Sequence, residues 1–351
     1  MIKVGVVGMG KMGLLHGSTL CSFDDVEFIG FADENKFVID TFKDLKPDWV
    51  ITNDFRSLIE KNDINVIFIT TPISTHYDII SYCLKNNISF FVEKPAFSTL
   101  EQAKTLSDLI HLSKSKSMVG YMMRFIETFK KGKELISNKV LGKIHNFEGT
   151  MYISQLFKPG KGWRYDPKIS GGGVVMHQTC HIIDLINWYF GYPAEIASTI
   201  INLYSAQVED YAHISLKYDD KLFGWVDSTW SKYNKRMLTT KIHCEGEFGT
   251  LTVDDDNVKI FLTVDRGEFK KGWTNISKLE ISKGVEIDFG APYYSQQSRY
   301  LIDIIKNNYS SDSQQQIHDI NESIKLHRVI DCIYSSNQNS SRMMKLNFDE
   351  N

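Results

Sequence analysis

The sequence predicts an α/β protein in which a doubly wound parallel sheet is followed by an α+β domain with a large, mainly antiparallel open sheet. Strand-like and helix-like segments alternate over the first 120 residues, which is typical of a parallel sheet with helices on both faces. Strand-length alternation with turn signals dominates residues 194–289, which is typical of hairpins. The length of 351 residues is sufficient for two domains, and we expect them at 1–120 and 121–351.

The strands of the first domain are apolar along their whole length, as expected when helices cover both faces of a sheet. They are predicted at 3–8, 27–33, 65–71, 88–94 and 117–121. Apolar residues at helical spacing predict helices within 73–87 and 99–113.

The second domain mixes helices with strands. Helices are predicted at 126–138 and at 174–190, the latter ended by Gly191 and Pro193, and a long strand at 144–156. Turn signals that would join hairpins occur at 218–221, 246–249 and 254–257. Helical spacing returns at 293–308 and 318–335, and we expect these C-terminal helices, about 293–335, to pack back toward the first domain.

Composition excludes several classes of partner. A net charge of -3 and a pI near 6.4 do not favour nucleic acid or an anionic membrane, which call for a basic surface. No apolar run is long enough to span a bilayer, and the start MIKVGVVGMG enters a strand without the pattern of a signal peptide. Five cysteines without CxxC spacing indicate buried thiols in a reducing compartment, so we expect a cytoplasmic protein.

The segment GMGKMG, residues 8–13, matches the dinucleotide-binding pattern GxGxxG in its usual context. It follows the first strand, opens a helix, and is followed twenty residues after Gly13 by Asp33 at the end of the next strand. Gly8 permits the tight turn, Gly10 lets the backbone approach a pyrophosphate, and Gly13 allows close helix–strand packing. Lys11 and Met12 complete the predicted loop of this Rossmann domain. A glycine-rich turn without a ligand is the alternative.

Asp33 indicates the choice of cofactor. Its carboxylate can accept hydrogen bonds from both ribose hydroxyls of NAD and would repel the 2′-phosphate of NADP. No arginine follows it directly; the next residues are Glu34 and Asn35. We therefore expect NAD, with NADP less favoured. Alternatively, Asp33 caps the following helix.

The tripeptide Glu93-Lys94-Pro95 lies at the carboxyl end of a predicted strand, where open α/β sheets bind ligands. A lysine there can hold a substrate oxygen, or take and return a proton. A solvated surface lysine is the alternative.

The order of these and later motifs resembles the Gfo/Idh/MocA oxidoreductases, which include inositol and nucleotide-sugar dehydrogenases. The motifs that carry the resemblance, within residues 1–190, are GMGKMG, Asp33, TTPISTH (70–76), EKP (93–95), GYMMRF (120–125), GWRYDP (162–167) and GGG…H…D (171–184). The resemblance implies a Rossmann domain beside an α+β domain whose open sheet forms the interface of a homodimer or homotetramer.

The resemblance also implies site residues. Lys94 would be the catalytic lysine, Glu93 and Lys94 would touch the nicotinamide side, and Thr71, Pro72 and His76 would line the dinucleotide. Arg124, Trp163 and Arg164 would face the active-site cleft. A structural ion pair is the alternative for Arg124, and packing in the core is the alternative for Trp163.

The stretch GGGVVMHQTCHIID, 171–184, carries two histidines one helical turn apart. His181 matches the family's catalytic histidine, whereas His177 stands where the family usually has an aspartate. We expect the glycines to let the backbone pass close to the nicotinamide, His181 to meet the reacting hydroxyl, and His177 to tune what binds. Asp184 would contact substrate, orient an imidazole or hold the domain together. Two histidines without a third ligand predict no metal site; packed core histidines are a further alternative.

The predicted activity is NAD-dependent oxidation of a secondary alcohol on a sugar-like ring, with Lys94 and His181 handling the hydroxyl proton. The basic segment 155–166, with Lys158, Lys161 and Arg164, favours a nucleotide-linked sugar first and a free sugar or inositol second. Two alternatives stay open: an enzyme that recycles bound NAD during glycoside cleavage or epimerisation, and a regulator that binds NAD and sugars without catalysis.

Overall fold

A computed structural model describes residues 1–218, 221–282, 284, 285, 288, 291–306 and 318–348. The chain divides into two compact units, the first made of residues 1–122 with 284–324 and the second of 123–283 with 325–351. Three predicted features lie partly outside the described residues. These are the turn at 218–221, of which 219 and 220 are outside, the end of the helix predicted at 293–308, and several residues of 283–290.

The first unit contains a six-stranded, wholly parallel sheet in the order β3-β2-β1-β4-β5-β6, which is the doubly wound order of dinucleotide-binding folds. The predicted parallel sheet is therefore confirmed. Its strands are β1 (Ile2–Val7), β2 (Val26–Ala32), β3 (Val50–Thr52), β4 (Val66–Ile69), β5 (Ser89–Val92) and β6 (Ser117–Val119). The three-residue β3 was not predicted from the sequence.

Helices flank this sheet. They are α1 (Lys11–Leu20), α2 (Lys36–Leu45), α3 (Phe55–Glu60), α4 (His76–Lys85), α5 (Leu100–Thr105), α6 (Ser107–Leu112) and α11 (Pro292–Ile305), with a 3₁₀ turn at Ile73–Thr75. The single helix predicted within 99–113 is thus two short helices. Later in the chain, α11 lies against α1, and Arg299 on α11 holds Asp25 through two bonds of 2.7 and 2.9 Å. Bonding to Arg299 holds the pKa of Asp25 well below its usual range.

The second unit contains a nine-stranded sheet in the order β14-β13-β12-β11-β7-β10-β9-β8-β15. All neighbouring strands are antiparallel except β10 and β7, so the predicted, mainly antiparallel sheet is confirmed. The strands are β7 (Ile144–Tyr152), β8 (Glu195–Ile201), β9 (Tyr211–Lys217), β10 (Phe223–Thr229), β11 (Thr239–Gly246), β12 (Gly249–Asp254), β13 (Asn257–Leu262), β14 (Gly272–Ser277) and β15 (Met344–Lys345).

One face of this sheet forms the core of the second unit. Phe147 and Met151, which point to the same side of β7, are completely buried. The helices are α7 (Glu127–Ser137), α8 (Pro167–Ser170), α9 (Cys180–Phe190), α10 (Lys278–Ile281) and the part of α12 (Ile320–Gln338) from Lys325 onward. There are 3₁₀ turns at Met122–Phe125, whose first residue belongs to the first unit, and at Trp163–Tyr165. The opposite face includes the partly exposed Tyr152, Tyr211 and Trp225. That this face forms the subunit interface remains a prediction.

Two local predictions need correction. The helix expected at 174–190 begins with a π-helical segment, Val175–Thr179, before α9 continues. The cysteines were expected to be buried, but Cys21 is exposed because it directly follows the last residue of α1. Within the described residues, no helix combines the length and the apolar character that crossing a bilayer requires.

Asp255, in the turn between β12 and β13, predicts a pH dependence of stability. Its carboxylate accepts the Thr240 N–H at 2.8 Å, and burial raises the pKa of Asp255 to about 6 from 3.8. Because the folded state holds this proton more tightly than the unfolded chain, the free energy of unfolding falls as pH rises from about 4 to about 6. Asp255→Asn is expected to stabilise the protein by about 1–3 kcal/mol at pH 7 and by little at pH 4. Urea unfolding at both pH values measures this.

The control is Glu268→Gln, which removes an exposed negative charge from the same unit. It is expected to change the free energy of unfolding by less than about 0.5 kcal/mol at either pH. A gain for Asp255→Asn that is the same at pH 4 and pH 7 would contradict the prediction.

Candidate functional site

The glycine loop connects β1 to α1 and leaves an open approach to the start of the helix. Gly8 has φ +100°, and a Cβ on Gly13 would lie 1.9 Å from the Gly8 carbonyl oxygen, so neither position accepts a side chain. Around Gly10, in contrast, no atom of the described residues beyond its chain neighbours lies within 4 Å of the position of a Cβ. The ten-residue α1 begins directly after it with no side chain capping its amides. These free N–H groups and the positive end of the helix dipole fit the pyrophosphate of a dinucleotide.

Asp33 follows β2 and is bonded to the glycine loop. Its Oδ2 accepts the Met9 N–H at 2.6 Å, and its Oδ1 accepts the Asn35 N–H at 2.8 Å. The cap of α2 is Asn35, whose side chain accepts the N–H groups of Phe37 and Val38, so the alternative role of Asp33 as helix cap is not seen. A carboxylate has about four lone-pair positions, which leaves capacity for ribose hydroxyls. At the start of α1, Lys11 is exposed and Met12 partly exposed.

The Glu93-Lys94-Pro95 turn follows β5 and is held from below by His76. The His76 ring is 2% exposed, and its two nitrogens lie 3.1 Å from the Pro95 carbonyl oxygen and 2.9 Å from the Thr71 carbonyl oxygen. Burial lowers the pKa of His76 and favours the neutral ring. Pro72 is exposed, whereas Thr71 and Lys94 are partly exposed. A neutral ring carries one N–H, so His76 donates to only one of these two carbonyl oxygens at a time. Its buried ring lies between the two segments that were predicted to line the dinucleotide.

His16 was not predicted from the sequence. It lies on the inner face of α1, completely buried, with Nε2 3.0 Å from Glu93 Oε1 and Nδ1 3.1 Å from Ser298 Oγ. The signal available in the sequence was a polar ring three residues after Gly13, on the same side of the helix.

In the second unit, the three glycines at 171–173 are required by the protein's own packing. Gly171 ends α8 with φ +75°. A Cβ on Gly172 would lie 2.2 Å from the Tyr334 hydroxyl oxygen, and one on Gly173 would lie 2.0 Å from the Glu209 carbonyl oxygen. These contacts supply a reason for the glycines that differs from the expected approach to the nicotinamide.

Glu209, which the sequence analysis missed, anchors the start of the histidine-bearing helix. Its Oε1 accepts the N–H groups of Gly173 (2.8 Å) and Val175 (3.1 Å) and the hydroxyl of Tyr334 (2.7 Å). Burial raises the pKa of Glu209, while these three donors oppose the increase. A buried acceptor at this point satisfies amides that a helix start otherwise leaves without partners.

His177 lies in the π segment beside two of the predicted substrate residues. The Trp163 ring is 5.7 Å from the His177 ring in an edge-on arrangement, and the Arg164 guanidinium lies 5.7 Å from the centre of the Trp163 ring. Trp163 is 44% exposed, so packing in the core does not explain it. The structure thus brings Trp163, Arg164 and His177 together at the surface of the second unit, one turn before the buried His181 of α9.

Arg124 and Asp184 form a buried ion pair within the second unit. Arg124 Nε and Nη2 donate to the two carboxylate oxygens of Asp184 at 2.9 and 2.6 Å. The two residues are 4% and 1% exposed. The structural ion pair is therefore favoured over a role for either residue in binding substrate. Among the described residues, no three His, Cys, Asp or Glu side chains gather closely enough to hold a metal ion.

Two family profiles match this chain. The one described as an oxidoreductase family with an NAD-binding Rossmann fold matches residues 2–121, and the one described as the GFO/IDH/MocA C-terminal domain matches residues 129–252. Together they span more than half of the sequence.

Characterised relatives are similar at low identity. A 1-carboxy-3-chloro-3,4-dihydroxycyclohexa-1,5-diene dehydrogenase of Comamonas testosteroni is 25% identical over 256 residues, covering 68% of this chain and 64% of that protein. A myo-inositol 2-dehydrogenase of Thermotoga maritima is 23% identical over 197 residues, covering 55% of this chain and 56% of that protein. The matched segments therefore span less than two thirds of these relatives.

Solved structures show the same fold over almost the entire chain. A levoglucosan dehydrogenase in complex with NADH and levoglucosan has a TM-score of 0.84 at 18% identity, with 99% of each chain covered. An NAD-binding oxidoreductase from Klebsiella pneumoniae has a TM-score of 0.83 at 16% identity, covering 99% of this chain and 100% of that one.

Proposed function

Because the chain belongs to the GFO/IDH/MocA family of oxidoreductases, we propose that it is an NAD-dependent dehydrogenase acting on a secondary alcohol of a sugar or cyclitol ring. The observation that carries the proposal is the glycine loop. It combines open space at Gly10, the uncapped start of α1 and the Asp33 carboxylate bonded to the loop. These features fit the pyrophosphate and the adenine-side ribose of NAD.

NAD, when bound, supplies the acceptor for the hydride that leaves the ring carbon. The hydroxyl on that carbon loses its proton in the same oxidation, and an alkoxide is too costly at neutral pH unless a base takes the proton. We assign this task to Lys94, at the carboxyl end of β5, and to His181 on α9. The carbon–oxygen single bond becomes a carbonyl as the hydride and the proton depart. The name of the levoglucosan dehydrogenase supports a ring alcohol as substrate.

Two observations favour different ring substituents. The names of the inositol and levoglucosan dehydrogenases favour uncharged cyclitols and sugars, although the name of the Comamonas relative includes a carboxyl group. In contrast, Lys158, Lys161 and Arg164 make the segment before α8 basic, and Arg164 lies against Trp163 beside His177. A basic segment suits a phosphate or carboxylate, so a nucleotide-linked sugar belongs to the proposal alongside a free sugar or inositol.

The test follows NADH absorbance while purified protein and NAD are offered free sugars, inositols and nucleotide-sugars. Turnover of any ring alcohol supports the proposal and identifies the substrate class, and turnover of uncharged rings alone removes the nucleotide-sugar. Some protein samples will bind added NAD and contain none when purified. If such protein forms no NADH with any compound of the panel, this result would contradict a dehydrogenase. Protein that retains NAD through purification would favour a recycled cofactor.

The cofactor preference is expected to depend on the charge of Asp33. The wild-type protein should use NAD at least about tenfold better than NADP, because the carboxylate favours ribose hydroxyls and repels a 2′-phosphate. Asp33→Asn keeps the shape of the side chain but loses its charge. The affinity for NAD should therefore fall roughly tenfold, and the preference for NAD over NADP should become smaller. Titration with each cofactor, followed by protein fluorescence, measures both constants. Glu34→Gln, next in the chain and exposed, is the control, and an equal effect of the two variants would refute this role of Asp33.

A further inference from the structure

A buried histidine lies directly beneath the Glu93-Lys94-Pro95 turn. His16 on α1 is completely buried, with the rings of Phe91 and Phe68 at 4.8 and 5.5 Å from its own ring. A polar ring in such apolar surroundings is costly unless its nitrogens are hydrogen-bonded. Both are, Nε2 to Glu93 Oε1 at 3.0 Å and Nδ1 to Ser298 Oγ at 3.1 Å.

The network determines which nitrogen of His16 carries the proton. An ionised carboxylate only accepts hydrogen bonds, so Nε2 must donate to Glu93. In the neutral imidazole, Nδ1 is then an acceptor, and the Ser298 hydroxyl donates to it. The bonds therefore run in one direction, from Ser298 through His16 to the Glu93 carboxylate.

Ser298 is itself fixed by the position of its helix. It lies on α11, next to Arg299, whose two bonds to Asp25 tie this helix to the loop before β2. Ser298 is completely buried, so its hydroxyl is held against the ring of His16 and away from competing water.

The Glu93 carboxylate is confined on its other side as well. A Cβ on Gly120 would lie 3.1 Å from Glu93 Oε2, and the Glu93 backbone N–H donates to the Ile69 carbonyl at 2.9 Å. On the far side of Lys94, the Pro95 carbonyl lies 3.1 Å from His76. Lys94 therefore lies between two residues that each contact a buried histidine.

We propose that His16 is a positioning residue that, oriented by Ser298, fixes Glu93 and so sets the placement of Lys94. The inference rests on the proposed function, because it presumes that Lys94 handles the substrate proton. A displacement of about 1 Å at a catalytic group can cost roughly 100-fold in rate. Loss of the bond to Glu93 should therefore lower kcat while the KM for substrate and the affinity for NAD change little.

Two substitutions of His16 separate its hydrogen bonds. In His16→Gln the side-chain amide reaches the position of ring Nε2 and keeps a donor for Glu93. In His16→Asn the amide corresponds to Nδ1, so it reaches Ser298 and leaves Glu93 without this donor. We expect kcat to fall roughly 10- to 100-fold in His16→Asn, and His16→Gln to recover most of that loss. NAD affinity by fluorescence titration and thermal stability should be similar in the two variants.

Equal kcat values in His16→Asn and His16→Gln would overturn the inference, as would a loss that follows NAD affinity. If His16→Asn does not fold, Ser298→Ala decides. It removes the hydroxyl that orients the ring through Nδ1, so kcat should fall about 3- to 10-fold with NAD affinity unchanged, and an unchanged kcat would refute the inference. Lys94→Ala distinguishes failure of the proposed function from failure of this inference. An active Lys94→Ala refutes the proposed function, whereas an inactive Lys94→Ala beside a fully active His16→Asn refutes the inference alone.

Discussion

Lys94→Ala is expected to lower kcat for the NAD-dependent oxidation by roughly 10²- to 10⁴-fold, the usual contribution of a positioned acid–base group. Lys94 follows β5 at the carboxyl edge of the sheet, and its neighbours in the chain are held by His16 and His76. Alanine removes the ammonium group without altering those anchors. NADH absorbance measures kcat, and a fluorescence titration should show NAD binding within a few-fold of the wild type.

Lys94→Arg separates proton transfer from charge. Arginine keeps a positive charge but does not release its proton in proteins, so this variant should be almost as inactive as Lys94→Ala. A Lys94→Arg protein with near wild-type kcat would mean that Lys94 acts only through its charge. Lys85→Ala, which removes an exposed lysine from the same unit, controls for a general effect of lost charge.

Arg124→Met is expected to destabilise the protein by about 3–5 kcal/mol, the usual cost of leaving the partner of a buried ion pair uncompensated. Asp184 is 1% exposed and accepts two bonds from Arg124, so methionine would leave a carboxylate buried without that cation. Urea unfolding, followed by circular dichroism and tryptophan fluorescence together, measures the loss. Trp188 is a suitable probe because the Arg124 guanidinium lies 5.5 Å from its ring.

The double variant Arg124→Met/Asp184→Leu tests the reason for that loss. If the cost comes from the unpaired carboxylate, removing both charges should recover much of the lost stability. A double variant that is as unstable as Arg124→Met would contradict this account. An Arg124→Met protein of wild-type stability with a greatly raised KM would instead support the expected contact with substrate.

Much of the first unit could be predicted from sequence because its signals are local. The glycine loop, the strand before it and Asp33 lie within 33 residues. Gly8, with its positive φ, and Gly13, which lies against the Gly8 carbonyl oxygen, have backbone reasons within the loop itself. The strand β3, Val50–Thr52, was missed, although β6, which is equally short, was predicted. One helix was predicted within 99–113 because its apolar spacing continues across Leu106. The structure has two helices there, since α5 ends before Leu106 and α6 begins after it.

The parts of the candidate site that were missed depend on contacts between distant residues. His16 meets Ser298 on another helix, and Glu209 meets both Gly173 and Tyr334. No pattern in one sequence indicates such pairs, because each side chain alone reads as an ordinary polar residue. The π segment also could not be predicted from the sequence, because one extra residue in a helical turn leaves the apolar spacing almost unchanged.

The position of β7 in the nine-stranded sheet sets an order for assembly. This strand lies between β10 and β11, both of which come much later in the chain. During synthesis, β10 would emerge about 70 residues after β7, a delay of roughly 4–14 s at about 5–20 residues per second. A strand without its partners exposes unpaired backbone groups and the side chains meant for the core, here Phe147 and Met151. The second unit is therefore expected to depend on chaperones during that interval, whereas the β1–β2 pair of the first unit can form early.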